Sequence, residues 1–519
     1  MVRKVSPANT VTTISVPENN SRKWIVIAIC VLAIYLVLSI ATAFTERPGT
    51  DEGYFANPAY NLLTTGSMST TVLETFGTPF KGMDRHTYWI MPLHPFTLAG
   101  WYKLFGFGVF TTRAYSIFWG LVALISWFVI VRSLFSRISL GLIVVALLSC
   151  DYIFIVCAAS GRMDMMSAAL GFAGLAVYLA LRERALMWAV FLSQSLIVMS
   201  GLTHPMGILP FFGLLFVSIF LDRKRLGVKH VAIALAPYLI GGLAWGSYIA
   251  QDRAAFFSQF SGNATMGSDD NVGGRFVGLL SPLTGLKLEL THRYLSNFGV
   301  GGHAGGGATR IKILFLVLYV VGVLGSLLIR EIRSLRNYKL LAGVTVIYFI
   351  GLTFIDSQKA YYYLVHIVPF YLAMCALFIS WCWARPGLLG KLAVFALAGI
   401  ALVEIAGLGY RIRKNNYRTA FQPAVNFLQA NAGSQSSIAA NSGTAFGLGF
   451  PSNVLHDPLL GLNTGKKFDY IVIDPEFAVT ISTSQGRDPK SYEHTMRLLT
   501  NDYTPVYQND SYTIYRRKK

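Results

Sequence analysis

Two adjacent carboxylates, Asp51 and Glu52, follow directly after the first long apolar run of the sequence, Trp24 to Phe44. Such a pair has a structural explanation, because acidic residues cap helix N-termini and interact favourably with the helix dipole. It also has a chemical one, because a carboxylate at the lipid–water boundary is partly desolvated, which raises its basicity. The pair is therefore a candidate for a general base.

Further titratable side chains lie at the ends of later apolar runs, where turns between membrane spans are expected. They are Arg162, Asp164, His204 and Lys359, with Tyr361 and Tyr362 following the lysine. Each has a structural explanation, as a surface ion pair, a turn residue with its own partner, or a snorkelling lysine beside aromatic-belt tyrosines. Charges beside a membrane turn, however, more often line a polar cavity. These residues are therefore candidates for one shared polar site.

The composition indicates which elements position these residues. The chain has 519 residues, of which 54% are hydrophobic and 13% are charged, and its mean hydropathy is +0.50. Soluble globular proteins carry about a quarter charged residues, so the composition argues against a disordered chain and against an ordinary cytosolic enzyme. Apolar runs of about twenty residues predict a polytopic α-helical membrane protein with about eleven spans.

The predicted spans are distributed along most of the chain. After Trp24 to Phe44 they lie near residues 113–131, 139–158, 163–181, 186–202, 207–221, 231–250, 311–329, 339–355, 361–382 and 388–409. Asp151 falls inside one of these runs. Because a charge inside a membrane is costly, we expect Asp151 to face a polar interior.

Basic residues cluster in alternate loops, and this pattern predicts the orientation. The net charge is +19, but clusters such as Arg223-Lys224-Arg225 between apolar runs are typical of juxtamembrane loops rather than of nucleic-acid binding. The positive-inside rule makes residues 1–23 a cytoplasmic tail, whose polar composition predicts disorder. The transmembrane domain, 24–409, then exposes loops 45–112 and 251–310 outside.

Residues 410–519 are also predicted to lie outside, as a soluble α/β domain. Phe468 to Ile473 and Ser511 to Tyr515 have the alternating pattern of strands, and Tyr492 to Leu499 that of a helix. About 110 residues are enough for a separate core.

The first external loop resembles that of the GT-C glycosyltransferases, in particular the protein O-mannosyltransferase and aminoarabinose-transferase relatives. The matching residues, in chain order, are Asp51-Glu52, Tyr54, Tyr88, Pro92, Leu104-Phe105-Gly106 and Arg113. The later match consists of an Arg-x-Asp at Arg162 and Asp164, His204 where many relatives carry Lys, and Lys359 followed by tyrosines. The resemblance implies a GT-C-like membrane domain with interfacial helices in the first external loop.

Two positions depart from the family pattern. Pro58 interrupts the expected interfacial helix, which then begins either before Pro58 or at it, with proline in its first turn. The Lys-Pro-Pro of many relatives is absent, and whether His94-Pro95 takes its place is open.

The resemblance also implies a reaction: transfer of a sugar from a polyprenyl-phosphate donor, without a nucleotide, at the outer face of what is expected to be a bacterial plasma (inner) membrane. Asp51 is then the general base for an inverting displacement, and Glu52 or Asp164 orients the acceptor. Cations must lie near the phosphate leaving group, and Lys359 and Arg162 are available.

Additional residues are assigned to the same expected site. His94, Arg85 and His204 are further donors toward phosphate or substrate, and Tyr54, Tyr88, Tyr361 and Tyr362 are expected to bind substrate. The expected partners are membrane lipid, the lipid-linked donor, and a glycan, lipid or protein acceptor, and no nucleic acid. No ligand set for a metal is evident, although a divalent cation at Asp51 is left open.

Two other functions are compatible with this sequence. A transporter or flippase would require broken helices in two similar halves and charges at mid-membrane. A non-catalytic glycan-assembly protein would use the carboxylates of loop one only as helix caps. The sequence names neither the sugar nor the acceptor.

Overall fold

The structure is a computed structural model, and it describes residues 21–265, 277–296, 306–356 and 358–519. The predicted cytoplasmic tail lies outside the described residues up to residue 20, as do parts of predicted loop 251–310. The described chain is mostly helical, with a small C-terminal sheet.

Within the described ranges, eight helices are long and apolar enough to cross a membrane. They are Arg22–Thr45, Val109–Phe135, Asp164–Leu181, Leu186–Thr203, Pro205–Asp222, Val228–Ile249, Tyr338–Ile355 and Leu388–Asn431. Helices are expected because lipid offers no partner to backbone polar groups, which must be satisfied within the segment. Two shorter apolar helices are Ile313–Leu328 and Val368–Ala384. The total of about eleven spans stays a prediction.

A bent pair of helices, Ile138–Cys150 and Tyr152–Ala159, makes a ninth candidate span and turns by 64° at the break. Two carboxylates stabilise the start of the second helix. Asp151 accepts a hydrogen bond from the Phe154 amide at 2.7 Å, and Glu404 accepts one from the Tyr152 amide at 3.0 Å. Both side chains are buried. They supply acceptors to helix amides that the break leaves without an intrahelical partner.

The basic turns that the sequence assigns to one side of the membrane contact one another. Arg182 and Arg225 both pair with Asp222, and Arg385 pairs with Glu331. Loop one lies at the opposite ends of the helices.

Loop one contains two helices, Thr50–Thr65 and Leu93–Phe105. We call the first the base helix. It runs through Pro58 without ending, so of the two alternatives that the sequence left open, a start at Pro58 is wrong. Gly66 ends the base helix with a left-handed φ of 78°, and its amide donates to the Leu62 carbonyl at 3.2 Å.

The C-terminal part combines helices with a five-stranded sheet. Its helices are Gln422–Asn431, Ser442–Gly447, Pro475–Arg487 and Pro489–Asn501, and its strands are β1 (Ile438–Ala439), β2 (Val454–Leu455), β3 (Tyr470–Ile473), β4 (Tyr503–Gln508) and β5 (Thr513–Arg517). The strand order is β2-β1-β3-β5-β4, with β1 parallel to β2 and β3, and β5 antiparallel to β3 and β4. The predicted C-terminal sheet is therefore confirmed.

Loop one continues this sheet at its β2 edge. The His456 amide donates to the Val72 carbonyl at 2.7 Å, and the Glu74 amide donates to the His456 carbonyl at 2.9 Å. Val72 is buried in the same hydrophobic cluster as Val454 and Ile514. The C-terminal domain therefore shares both its sheet edge and its core with loop one.

Two glycines allow the base helix to approach helix Ser442–Gly447. A Cβ on Gly53 would lie 2.2 Å from the Ser442 carbonyl oxygen, and a Cβ on Gly443 would lie 2.7 Å from the Pro48 carbonyl oxygen. Real Cβ atoms do not come this close to backbone, so the contact requires residues without a side chain.

We predict that Gly53→Ala loosens the attachment of the C-terminal domain. Alanine normally stabilises a helix relative to glycine, but overpacking here is expected to cost about 1–3 kcal/mol. Thermal unfolding in detergent and limited proteolysis measure the effect. The control is Gly486→Ala, in helix Pro475–Arg487, where a Cβ meets no atom within 4 Å. Equal unfolding temperatures for the two variants would contradict this packing.

Candidate active site

Asp51 lies in the first turn of the base helix and is the accessible member of the acidic pair. Its side chain is 49% exposed and forms an ion pair with the Arg162 guanidinium. Because helix N-termini favour negative charge, the first turn suits a carboxylate at this position. The structure thus brings together two of the candidate site residues, Asp51 and Arg162, which are 111 residues apart in sequence.

Arg162 connects Asp51 to a second carboxylate. Its Nε donates to Asp164 Oδ2 at 2.8 Å, and its guanidinium lies over the Tyr362 ring, 3.8 Å from the centroid, and near the Phe55 ring at 5.2 Å. The Tyr361 ring lies 4.0 Å from that of Tyr362. The aromatic faces and two carboxylates hold a largely buried cation beside the accessible Asp51.

Glu52, unlike its neighbour Asp51, is buried. Its oxygens accept two hydrogen bonds from Arg113, Nε at 2.9 Å and Nη2 at 2.8 Å, one from the Gly161 amide at 2.7 Å, and one from the Gly49 amide at 3.0 Å. Burial alone raises the pKa of Glu52, but Arg113 and the two amides outweigh it and hold the pKa below its ordinary value. Glu52 therefore joins the base helix to the Gly161 turn and the second span.

Three histidines surround the buried end of the Arg162–Asp164 pair: His94, His204 and His366. Asp164 interacts electrostatically with each of them. Burial lowers the pKa of His94 to about 4, so its ring is neutral near neutral pH. Among the described residues, His94 Nδ1 and both ring nitrogens of His366 have no hydrogen-bond partner. The His204 ring packs against that of Tyr363.

Lys359 lies on the turn that carries Tyr361 and Tyr362, but its ammonium is 1% exposed. The Nζ forms an ion pair with Glu289 Oε2 at 3.0 Å and donates to the Thr353 carbonyl at 2.6 Å. Burial lowers the pKa of Lys359, and the charge of Glu289 opposes that shift. Arg293 in turn pairs with Glu289 and Asp356. The structure therefore places this predicted phosphate ligand within a buried ion-pair network.

Tyr54 faces the C-terminal domain. Its hydroxyl is hydrogen-bonded to His456 Nδ1 at 2.6 Å, the two rings stack at 5.5 Å, and the Trp89 ring meets Tyr54 edge-on at 5.9 Å. Burial lowers the pKa of His456 from 6.5 to about 4. A predicted substrate-binding tyrosine thus also forms the interface between loop one and the sheet.

Tyr88 and Arg85 contact a different segment from the other predicted site residues. The Tyr88 hydroxyl donates to the Tyr248 carbonyl at 3.1 Å, and the Tyr88 amide donates to Gln259 Oε1 at 2.7 Å. Arg85 is an exposed side chain that pairs with Asp252 at 3.5 Å. The structure thus brings both residues to segment 248–259.

In the part of the chain that the structure describes, no three His, Cys, Asp or Glu side chains are grouped so that they could hold a metal ion.

Comparisons with solved structures identify the fold. ArnT from Cupriavidus metallidurans bound to undecaprenyl phosphate superposes with a TM-score of 0.58 and 13% identity, over 95% of this chain and 98% of that one. The Archaeoglobus fulgidus oligosaccharyltransferase in the apo form gives a TM-score of 0.57 and 12% identity, over 97% of this chain and 75% of the other. Both are GT-C glycosyltransferases. The chain has the GT-C fold. No protein-family model and no curated protein sequence matches it.

Three kinds of residue in this fold are not predicted from the sequence. His366 is the first, and its only sequence signal is that a histidine stands inside an apolar run. The role of Arg113 as the partner of Glu52 required the fold. A third group joins the base helix to the C-terminal domain and consists of Thr50, Asn441, Ser442 and Glu476. No local sequence pattern indicates these contacts.

We predict that Arg113→Ala strongly destabilises the protein, because it leaves the Glu52 charge buried without its main partner. Breaking a buried pair in this way costs about 3–5 kcal/mol. The matched control is Arg385→Ala, which breaks the exposed pair with Glu331 and is expected to cost about 0–1 kcal/mol. Unfolding midpoints in detergent measure both, and a similar small loss in the two variants would exclude this role for the Glu52–Arg113 pair.

His456 is expected to make the folded protein sensitive to acid. The unfolded chain binds a proton at His456 below about pH 6.5, and the folded chain does so only below about pH 4. Stability is therefore full above pH 6.5 and falls as the pH decreases, by about 2 kcal/mol at pH 5 from this residue.

The measurement is the loss of unfolding temperature between about pH 7.5 and pH 5. His456→Phe, which keeps the stacking on Tyr54, should lose less than the wild type, and His494→Phe in the same domain should lose as much as the wild type. His94 retains its own contribution, so the loss is reduced rather than abolished. An unchanged loss in His456→Phe would contradict the prediction.

Proposed function

We propose that this protein is a membrane glycosyltransferase that moves a sugar from a polyprenyl-phosphate donor to an acceptor, with Asp51 as the general base. One observation carries the proposal: an accessible carboxylate is held against a largely buried arginine on the loop-one side of a GT-C fold. Asp164 pairs with the same arginine, and His204 and His366 lie near Asp164.

The comparisons support both substrates of this reaction. The ArnT structure contains undecaprenyl phosphate, and another structure of the Archaeoglobus fulgidus oligosaccharyltransferase, with a TM-score of 0.58 and 13% identity over 96% of this chain and 74% of that one, holds a tethered acceptor peptide. A lipid-linked donor and a separate acceptor are therefore the substrates we assign to this chain.

In the proposed reaction, the acceptor gives its proton to a carboxylate oxygen of Asp51 as its nucleophilic atom attacks the anomeric carbon. The bond from that carbon to the phosphate oxygen breaks, its electron pair leaves with the polyprenyl phosphate, and the configuration inverts. The leaving phosphate is stabilised by charge-assisted hydrogen bonds from Arg162. Since a phosphate leaving group does not need full protonation, one base suffices.

The geometry changes the roles that we give to two predicted residues. Glu52 accepts four hydrogen bonds in a buried position, so we assign it to positioning the base helix instead of to catalysis. Lys359 is paired with Glu289, so we assign it to holding the turn of Tyr361 and Tyr362 beneath Arg162.

The remaining residues keep roles at the substrates. His94 is a neutral donor toward the phosphate, His204 is a second donor, and Asp164 orients Arg162 or a sugar hydroxyl. Tyr54 stays a proposed substrate-binding residue, at the junction of loop one and the C-terminal domain. Arg85 and Tyr88 are assigned to fixing loop one on segment 248–259.

An apolar groove beside His204 is suited to the prenyl chain of the donor. It lies between helices Leu186–Thr203 and Val228–Ile249, has a volume of about 430 Å³, and includes Gly201, Leu202 and Pro205 in its lining. Burial of a prenyl chain contributes about 0.8 kcal/mol per CH₂.

The broken span at Asp151 is the observation that favours a transporter, because broken helices with buried acids are typical of ion-coupled carriers. Here, however, both carboxylates accept hydrogen bonds from amides of the helix that follows the break. They are accounted for as helix caps, so the glycosyltransferase is the better-supported function.

The test is transfer from a panel of radiolabelled polyprenyl-phosphate sugars to a membrane extract, with purified wild type and Asp51→Asn. We expect the wild type to transfer one donor sugar and Asp51→Asn to lose about 10²–10⁴-fold in rate, the usual contribution of a general base. The control is Asp84→Asn, an exposed acid of the same loop, which should behave as wild type.

Two outcomes would count against the proposal. Equal transfer by wild type and Asp51→Asn would keep the glycosyltransferase and remove Asp51 as the base. No transfer from any donor, with all proteins folded by thermal unfolding, would reject the function and favour a transporter or an assembly protein.

A further inference from the structure

The base helix starts without a side-chain cap of its own. Its N-cap residue is Gly49, which has no side chain to accept a hydrogen bond from the first-turn amides. Those amides have no intrahelical partner and need an acceptor from elsewhere. Asp51 is the second residue of this turn, so its position depends on how the turn is held.

The acceptor comes from the C-terminal domain. Glu476 Oε2 accepts a hydrogen bond from the Thr50 amide at 3.0 Å and another from the Thr50 hydroxyl. The side chain of Glu476 thus acts as the cap of a helix that lies 426 residues away in the sequence.

Two further side chains of the C-terminal domain hold Thr50. Asn441 Nδ2 donates to Thr50 Oγ1 at 2.5 Å, and the Ser442 hydroxyl donates to the Thr50 carbonyl at 2.6 Å. The amide, the carbonyl and the hydroxyl of the residue before Asp51 are all bonded to this domain. Since Thr50 and Asp51 share a peptide bond, these contacts limit the movement of Asp51.

Glu476 is itself fixed by its surroundings. It lies in the first turn of helix Pro475–Arg487, where Asp474 caps the helix by accepting a hydrogen bond from the Phe477 amide at 2.7 Å. Arg47 lies 3.8 Å from both Asp474 and Glu476. With a side chain that is still 42% exposed, Glu476 combines a fixed position with access to solvent.

We propose that Glu476 is a positioning residue for the base Asp51, so that the C-terminal domain completes the active site without taking part in the chemistry. This inference rests on the proposed function. Loss of the cap lets the first turn of the base helix fray and displaces the Asp51 carboxylate. A displacement of about 1 Å is enough to lower a rate by about 10²-fold.

The experiment compares Glu476→Ala with Glu476→Gln, which keeps an acceptor for the Thr50 amide, and with the control Glu493→Ala, an exposed acid of the same domain. Steady-state kinetics give kcat and the KM for donor and acceptor separately. Hydrogen exchange of the peptide covering residues 49–55 reports the order of the first turn without any need for activity.

We expect Glu476→Ala to lower kcat by about 10–100-fold with both KM values within about twofold of wild type, and to speed exchange in the 49–55 peptide. Glu476→Gln should recover much of the lost kcat and much of the slow exchange in the 49–55 peptide. Glu493→Ala should match wild type in both measurements. A merely structural role would lower the amount of folded protein but leave the kcat of the folded fraction unchanged.

A second pair of variants tests the contact from the other side. Thr50→Val removes the hydroxyl and keeps the shape, whereas Thr50→Ser keeps the hydroxyl, so only Thr50→Val should reduce kcat. The double variant Glu476→Ala with Thr50→Val should lose less than the product of the two single losses, because the contact between the Thr50 hydroxyl and Glu476 is common to both, although the bond from Asn441 is lost only with Thr50→Val. If Glu476→Ala does not fold, the two Thr50 variants and their exchange rates decide.

Three results would overturn the inference: an unchanged kcat in Glu476→Ala, a raised acceptor KM at unchanged kcat, or losses that multiply in the double variant. The second would make Glu476 an acceptor ligand. These results are distinct from failure of the proposed function, which is recognised by absence of transfer in the wild type. In that case unchanged exchange in the 49–55 peptide of Glu476→Ala still rejects the cap.

Discussion

The rest of the site depends on the buried pair of Glu52 and Arg113. A buried charge is tolerated only when it is paired and hydrogen-bonded, and this requirement brings four parts of the chain together. Arg113 comes from the second span and also donates to the Ala43 and Glu46 carbonyls at the end of the first. Glu52 comes from the base helix and accepts from the Gly161 amide. None of these elements can move alone without exposing a charge to an apolar environment, so the ends of two spans, the base helix and the Arg162 turn form one unit.

That unit is extended by the C-terminal domain. Val72 and Glu74 join loop one to the edge of the sheet, and the Tyr54 hydroxyl pairs with His456. Thr50 is hydrogen-bonded by three side chains of the domain, those of Asn441, Ser442 and Glu476. A domain attached only by a flexible segment would sample many orientations above the membrane. Here the hydrogen bonds, the shared core and the glycine contact at Gly53 restrict it to one orientation, and the residue before Asp51 belongs to this interface.

Much of this could be predicted from the sequence, and the failures have physical reasons. The apolar runs, the C-terminal sheet and the grouping of Asp51 with Arg162 follow from hydropathy and from the order of charged turns on one side. The difference between Asp51 and Glu52 does not, because adjacent helical residues point about 100° apart and only the packing decides which faces the core. The residue type and the position of Lys359 in the sequence suggest a phosphate ligand, but tertiary structure brings Glu289 to it as a partner. Glu476 has no local signal, since the turn that it caps is formed by a distant residue.

The broken span has a consequence for the order in which the protein is completed. Asp51 and Arg162 emerge early in synthesis, but the short helix that leads to Arg162 is capped by Glu404, on the last long apolar helix, and Thr50 is bonded by residues 441 to 476. These partners are made only after every preceding segment has been inserted. A growing or truncated chain thus carries the charged side chains of the site without the contacts that hold them. The site is therefore complete only after residues 404–476 have been made, and these residues follow the earlier apolar helices in the chain.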